Sequence, residues 1–133
     1  KNEIKLGSIY PTRDFSYVED TINGFLRALK TQDIIGETVN LGSNFEISIE
    51  KTVLTIANLM QKEIKILSDK VRLRPENSEV ERLLADISKA KNILNWSPEY
   101  GGLDGFKKGL GKTIQWFTDI DNLKNFKSNV FNV

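Results

Sequence analysis

The chain has 133 residues, of which 39% are hydrophobic and 28% charged, values typical of one folded domain rather than a disordered segment. A formal net charge of +1 gives no strong field for nucleic acid or a membrane surface, so we expect neither partner. Cysteine and histidine are absent, which excludes disulfides, thiolate metal sites and a histidine base within this sequence and fits a cytoplasmic protein.

The first third of the chain alternates predicted strands with a helix. Period-two alternation predicts a strand over residues 3–9, and short strand-like runs predict strands over residues 15–18 and 38–42, the latter buried. A helix follows residue 19, with Asp20 or Thr21 as its N-cap. Its predicted apolar face consists of Ile22, Phe25, Leu26 and Leu29.

The rest of the chain is predicted to be mainly helical. Ser48 is placed to cap a helix whose apolar stripe is core, and a strand follows over residues 63–67. Asp86 or Ser88 then caps a short helix that Trp96 closes. The stripe consists of Ile49, Val53, Ile56, Ala57 and Met60, and the short helix turns Ala90, Ile93 and Leu94 inward. A last helix covers residues 103–117, weakened by Gly105, Gly109 and Gly111, before a polar tail. This order of elements is mixed α/β.

A charged segment lies between the last predicted strand and the short helix. Arg74 offers a planar fork that binds phosphate, and Glu76, Glu79 and Glu81 offer carboxylates that accept from sugar hydroxyls. On spacing alone, a solvated charged loop before a surface helix is the favoured explanation of these residues, because charged loops are common.

Four motifs occur in order along the chain. They are Arg13-Asp14-Phe15-Ser16-Tyr17-Val18-Glu19-Asp20, Val39-Asn40-Leu41-Gly42, Arg74-Pro75 leading to Asp86-x-Ser88-Lys89-Ala90, and Leu94-Asn95-Trp96. Together they resemble the extended short-chain dehydrogenase/reductase family of NAD-dependent nucleotide-sugar epimerases and dehydratases, most of all the bacterial sugar 4,6-dehydratases.

This resemblance implies that the chain is the C-terminal part of a longer enzyme. Residues 1–45 would be the last β-α-β portion of a Rossmann-type sheet, residues 46–118 the small α/β substrate-binding domain, and residues 119–133 a tail. The family's Gly-x-x-Gly-x-x-Gly turn and Tyr-x-x-x-Lys pair do not occur in this sequence. NAD would therefore bind to the missing N-terminal portion, and this chain alone is expected to be inactive. Apolar faces that the missing sheet would cover are expected to be exposed and to favour self-association into a homo-oligomer.

The resemblance also assigns roles to individual residues. Arg13 and Arg74 match positions that contact the diphosphate of a UDP-, GDP- or dTDP-hexose. Glu79 matches a carboxylate that accepts from ribose hydroxyls, with Glu76 as a rival. The chain would hold the nucleotide while the hexose is oxidised at C4. The alternative is a stand-alone nucleotide-sugar-binding module without catalysis.

Other residues in the motifs are expected to be structural. Asp14 and Asp20 are interpreted as helix-entry or loop-bracing groups, Asn40 as a backbone brace beside the ligand cleft, and Trp96 as part of the core.

Overall fold

A computed structural model of the chain describes residues 2–73 and 78–124. It contains strands and helices in mixed order, which confirms the predicted α/β class. The elements are β1 (Glu3–Leu6), β2 (Thr12–Asp14), α1 (Val18–Lys30), β3 (Glu46–Ser48), α2 (Ile49–Leu59), β4 (Lys65–Ser68), a 3-10 turn (Lys70–Arg72), α3 (Ser88–Leu94), α4 (Gly102–Thr118) and α5 (Ile120–Lys124).

Two small sheets organise the strands. β1 and β4 pair in parallel, with Glu3 opposite Lys65, and the chain passes through α1 and α2 between them. β2 and β3 pair antiparallel, with Arg13 opposite Ile47. The strands predicted over residues 3–9 and 63–67 are confirmed as β1 and β4, although both are shorter than predicted.

β2 has a neighbour on each side. One neighbour is β3. On the other side of β2, the backbone N–H of Thr12 donates to the carbonyl of Glu81 at 2.8 Å, and the N–H of Leu83 donates to the carbonyl of Thr12 at 3.1 Å. These bonds attach residues 81–83 to β2 and bring the segment before α3 close to Arg13.

Two predicted strands are wrong. Residues 15–17 are irregular and Val18 already begins α1, because Phe15 and Tyr17 contact the rings of Phe106 and Tyr100 instead of a neighbouring strand. Residues 38–42 form no strand, since within the described residues no strand pairs with them.

The start of α1 also differs from the prediction. Tyr17 occupies the N-cap position without a side-chain cap bond, so the predicted cap at Asp20 or Thr21 is wrong. Asp20 is 2% exposed, and its carboxylate accepts from the N–H groups of Glu99 at 2.8 Å and Tyr100 at 2.9 Å. Its predicted role as a loop brace is confirmed.

The apolar face predicted for α1 exists, but the described residues leave much of it exposed. The exposed fractions are 50% for Ile22, 63% for Phe25, 46% for Leu26 and 83% for Leu29. The expectation of an exposed apolar face is therefore confirmed.

The core lies around α3. Ile87, Ala90, Leu94 and Trp96 are buried together, which confirms the inward positions predicted for Ala90, Leu94 and Trp96. The Asp86 carboxylate accepts from the Ser88 N–H at 2.8 Å, although Ile87 occupies the N-cap position. The helix ends where Asn95 adopts a left-handed conformation with φ 48°.

The N-terminus of α2 follows the prediction. Ser48 is the N-cap, and its hydroxyl accepts from the Lys51 N–H at 3.2 Å. On the predicted stripe, Ala57 is buried, Ile49, Val53 and Ile56 are half-buried, and Met60 is 41% exposed.

α4 depends on close approaches at two of its glycines. A Cβ at Gly105 would lie 2.4 Å from the backbone carbon of Tyr100, and one at Gly109 would lie 3.2 Å from the ring of Tyr17. Gly111 has open space around it. The spacing of Gly105 and Gly109 therefore serves packing within the chain.

Candidate functional site

Arg13 and Glu79 are brought together across 66 residues of sequence. Arg13 Nη2 donates to Glu79 Oε1 at 3.0 Å, and Arg13 Nη1 donates to the carbonyl of Thr12 at 2.8 Å. The two side chains are 20% and 19% exposed. Thus two of the three predicted substrate-binding residues form one half-buried pair.

The third predicted residue, Arg74, lies outside the described residues, as does Glu76. The predicted clamp of two guanidiniums and the choice between Glu76 and Glu79 both stay predictions.

A second ion pair stands beside the first and was not predicted from the sequence. Arg82 Nε donates to both oxygens of Glu46, at 2.9 and 2.8 Å, and the Thr12 hydroxyl donates to Glu46 Oε2 at 2.8 Å. The hydrogen bonds from Arg82, and then from Thr12, lower the pKa of Glu46 below its ordinary value. No local sequence signal marks this pair, because strand pairing alone brings Arg82 to Glu46.

An open cleft of about 880 Å³ is lined by one member of each pair, Glu79 and Arg82. Its walls consist of Ser8, Tyr10, Pro11, Leu73, Glu79, Glu81 and Arg82. The cleft contains apolar, aromatic and charged groups, and its volume falls within the range of small-ligand sites. It can therefore accept a ligand with a planar apolar part and polar hydroxyls.

Asp14, next to Arg13 in β2, connects this strand to two other segments of the chain. Its Oδ1 accepts from the backbone N–H of Ser43 at 2.7 Å and from the Ser43 hydroxyl, and its Oδ2 accepts from the Ala85 N–H at 3.3 Å. A Cβ at Gly42 would lie 2.4 Å from the Ala85 Cβ, so this glycine permits the close approach. The structural role predicted for Asp14 is confirmed.

Asn40 lines a neighbouring shallow cleft together with Asp14 and Gly42. Its predicted role as a backbone brace stays a prediction.

The described ranges contain no cluster of acidic residues that would hold a metal ion. None of the helices within them has the length and apolar character required to cross a membrane.

Comparison with known proteins decides the family. Residues 1–109 match the family model described as GDP-mannose 4,6 dehydratase. The chain belongs to this family. The resemblance carried by the four motifs is thereby confirmed.

This chain aligns with only part of the length of each curated relative. The uncharacterized UDP-glucose epimerase of Bacillus subtilis is 36% identical over 110 residues, which are 82% of this chain and 32% of that protein. The UDP-glucuronate 4-epimerase of Thermodesulfobacterium geofontis is 33% identical over 117 residues, or 86% of this chain and 33% of that protein. The chain spans about a third of the length of the curated relatives it matches.

Solved structures share the fold. The epimerase Mth375 from Methanothermobacter thermautotrophicus superimposes with a TM-score of 0.75 at 30% identity, covering 92% of this chain and 33% of that one. The UDP-glucuronic acid 4-epimerase from Bacillus cereus, solved with UDP-glucuronic acid and NAD, gives 0.66 at 32% identity, covering 81% and 32%. These similarities confirm the Rossmann-type α/β class.

Proposed function

We propose that this chain is the C-terminal, nucleotide-sugar-binding part of an NAD-dependent sugar-nucleotide 4,6-dehydratase or epimerase. The observation that carries the proposal is the meeting of Arg13 and Glu79 beside the open cleft. A guanidinium and a carboxylate at one place suit a ligand that has both an anionic diphosphate and paired ribose hydroxyls.

Arg13 would hold the diphosphate. Two of its five N–H groups are engaged by described residues, one by Thr12 and one by Glu79, so the fork retains donors for phosphate oxygens. The bond to Glu79 restricts the guanidinium and reduces the entropy lost when a ligand binds.

Glu79 would accept from the ribose hydroxyls with its second carboxylate oxygen. The bond to Arg13 uses Oε1, and Glu79 lines the cleft. Arg74, which follows the 3-10 turn by two residues in the sequence, would supply a second cation.

The contribution to catalysis is one of orientation. NAD, bound by the portion that precedes this chain, would accept the hydride from C4 of the hexose. This chain would hold the nucleotide end of the substrate still, so that C4 stays in one position during the reaction. Residues 1–45 would complete the Rossmann-type domain, and residues 46–118 would form the substrate domain.

Nucleotide binding by the full-length polypeptide tests this proposal. We expect calorimetry to show binding of UDP, GDP or dTDP, with Arg13→Ala weakening it about 10-fold or more, since a charge-assisted bond to phosphate is lost. Arg27→Ala, on the exposed surface of α1, is the matched control and should leave the affinity unchanged. Equal affinities for Arg13→Ala and the unmodified protein would disprove the clamp.

A turnover assay separates the leading proposal from the binding-module alternative. A dehydratase or epimerase converts its nucleotide sugar in the presence of NAD. A binding module would show the same nucleotide affinity with no conversion of any nucleotide sugar tested.

A further inference from the structure

Tyr10 is an exposed aromatic residue on a fixed piece of backbone. Its side chain is 83% exposed, whereas Pro11, the next residue, is buried. The carbonyl of Ile9 accepts from the N–H of Glu50 at 3.0 Å, and the carbonyl of Pro11 accepts from the N–H of Ile49 at 3.1 Å. The first turn of α2 thus holds the chain on both sides of Tyr10.

The ring of Tyr10 contributes little to the packing of the described residues. None of the aromatic contacts within residues 2–73 and 78–124 involves this ring. Pro11 additionally restricts the conformation of Tyr10. An aromatic ring kept in water on a restrained backbone is suited to receive a planar ligand, because little conformational entropy is lost on binding.

The charges around Tyr10 indicate which end of a ligand it would receive. Two carboxylates, Glu79 and Glu81, and one guanidinium, Arg82, line this cleft, and Arg82 is already paired with Glu46. Among the described residues that line the cleft, positive charge does not exceed negative charge, so this part of the cleft does not attract a phosphate. Arg13 is bonded to Glu79, so the anionic end of the ligand would point towards this pair and the uncharged end towards Tyr10.

We propose that Tyr10 is the platform on which the nucleotide base stacks. This inference rests on the proposed function, since it assigns the base, the ribose and the diphosphate to Tyr10, Glu79 and Arg13 in turn. Every nucleobase has a planar face, so stacking on Tyr10 contributes affinity without selecting strongly between UDP, GDP and dTDP.

Substitutions at Tyr10 in the full-length polypeptide test the proposal. Tyr10→Ala should weaken UDP binding about 5- to 150-fold, the range found when an aromatic partner of a stacked base is truncated. Tyr10→Phe keeps the ring and should retain the affinity, whereas Tyr10→Leu keeps an apolar side chain but loses the ring and should resemble Tyr10→Ala. Because Tyr10 is exposed, the melting temperature without ligand should stay the same in all three variants.

Saturation-transfer NMR on bound UDP gives a second readout that a change in folding would not mimic. In the unmodified protein, the base protons should receive more saturation than the ribose protons, and Tyr10→Leu should reverse this order.

The outcomes separate the two proposals. If Tyr10→Leu binds UDP as the unmodified protein does while Arg13→Ala binds weakly, the platform is wrong and the proposed function stands. A lowered melting temperature in Tyr10→Leu, or an unchanged ratio of base to ribose saturation, would likewise overturn the platform. If UDP, GDP and dTDP all fail to bind the unmodified protein, both proposals fail.

Discussion

Two carboxylates, one buried and one half-buried, connect distant parts of this chain. Asp20, on α1, accepts from two N–H groups of the loop that precedes α4, about 80 residues away in sequence. Asp14, on β2, accepts from the backbone N–H groups of Ser43 and Ala85. A buried carboxylate that satisfies two backbone donors stabilises the native loop, and its loss leaves those donors unpaired.

At Asp20, replacement by asparagine should destabilise the chain. Asparagine offers one acceptor oxygen and one NH2 group, so either the Glu99 or the Tyr100 N–H would face a donor. We expect the free energy of unfolding to fall by about 1–3 kcal/mol in urea titrations.

Asp33→Asn is the matched control for this change. Asp33 is exposed and has φ 61°, a conformation that asparagine tolerates well. Its free energy of unfolding should change by less than about 0.5 kcal/mol. An Asp20→Asn variant as stable as Asp33→Asn would contradict the bracing role.

At the scale of elements, the motif from Arg13 to Asp20 contacts three other regions of the chain. Arg13 binds Glu79, and Phe15 and Tyr17 contact rings on α4 and in the loop before it. Glu19 accepts from Lys112 on α4 at 2.8 Å, and the hydroxyl of Tyr100 donates to it at 2.6 Å. Most of the motif therefore holds the chain at the start of α1 against α4 and the loop before it, and Arg13 contacts the candidate site.

Alanine substitution of the glycines in α4 should have opposite effects at different positions. Gly111→Ala meets nothing within 4 Å and should stabilise the chain by up to about 1 kcal/mol, because alanine favours the helix. Gly105→Ala would place a methyl group against the backbone of Tyr100 and should destabilise it by about 1–3 kcal/mol. Urea unfolding of both variants measures the difference, and equal effects would show that α4 is simply a weak helix.

At the scale of the whole molecule, ion pairs join segments that are distant in sequence. Glu46 pairs with Arg82, and Glu19 with Lys112, both from distant parts of the chain. The hydrogen bonds from Arg82 and from Lys112 hold the pKa values of Glu46 and Glu19, respectively, below the ordinary value of 4.5.

Acid should therefore weaken the fold. A carboxylate whose pKa is lowered by folding stabilises the native state above its ordinary pKa, and this stabilisation is lost as the pH falls below 4.5 through the lowered pKa. The melting temperature should decline over that interval, and Glu46→Gln should flatten part of the decline. A Glu46→Gln variant with an unchanged profile would show that the pair with Arg82 contributes nothing to stability.

The exposed face of α1 predicts self-association of the 133-residue chain. Phe25 and Leu29 are 63% and 83% exposed, and apolar side chains grouped on one helix face favour contact with another apolar surface. Sedimentation equilibrium should show species larger than a monomer at micromolar concentrations. The double variant Phe25→Glu and Leu29→Glu should shift the chain towards monomer, and a monomeric unmodified chain would contradict the prediction.

Local patterns predicted some elements well and others poorly. The hydroxyl of Ser48 correctly predicted the N-cap of α2, and the spacing of Ala90 and Leu94 correctly predicted the buried face of α3. Both features depend only on residues within one or two helical turns. Short strand-like runs at residues 15–18 and 38–42 predicted strands wrongly, because a strand also needs a neighbour to pair with.

The sequence by itself determined the family, the α/β class and the candidate residues Arg13 and Glu79, because motifs and apolar periodicity are local properties of the chain. Only the tertiary structure decided that Arg13 meets Glu79, that Arg82 holds Glu46, and that Tyr10 stands exposed at the cleft. The contacts of Arg13 with Glu79 and of Arg82 with Glu46 arise from strand pairing between segments that are distant in sequence. Such pairing leaves no signal at either segment alone.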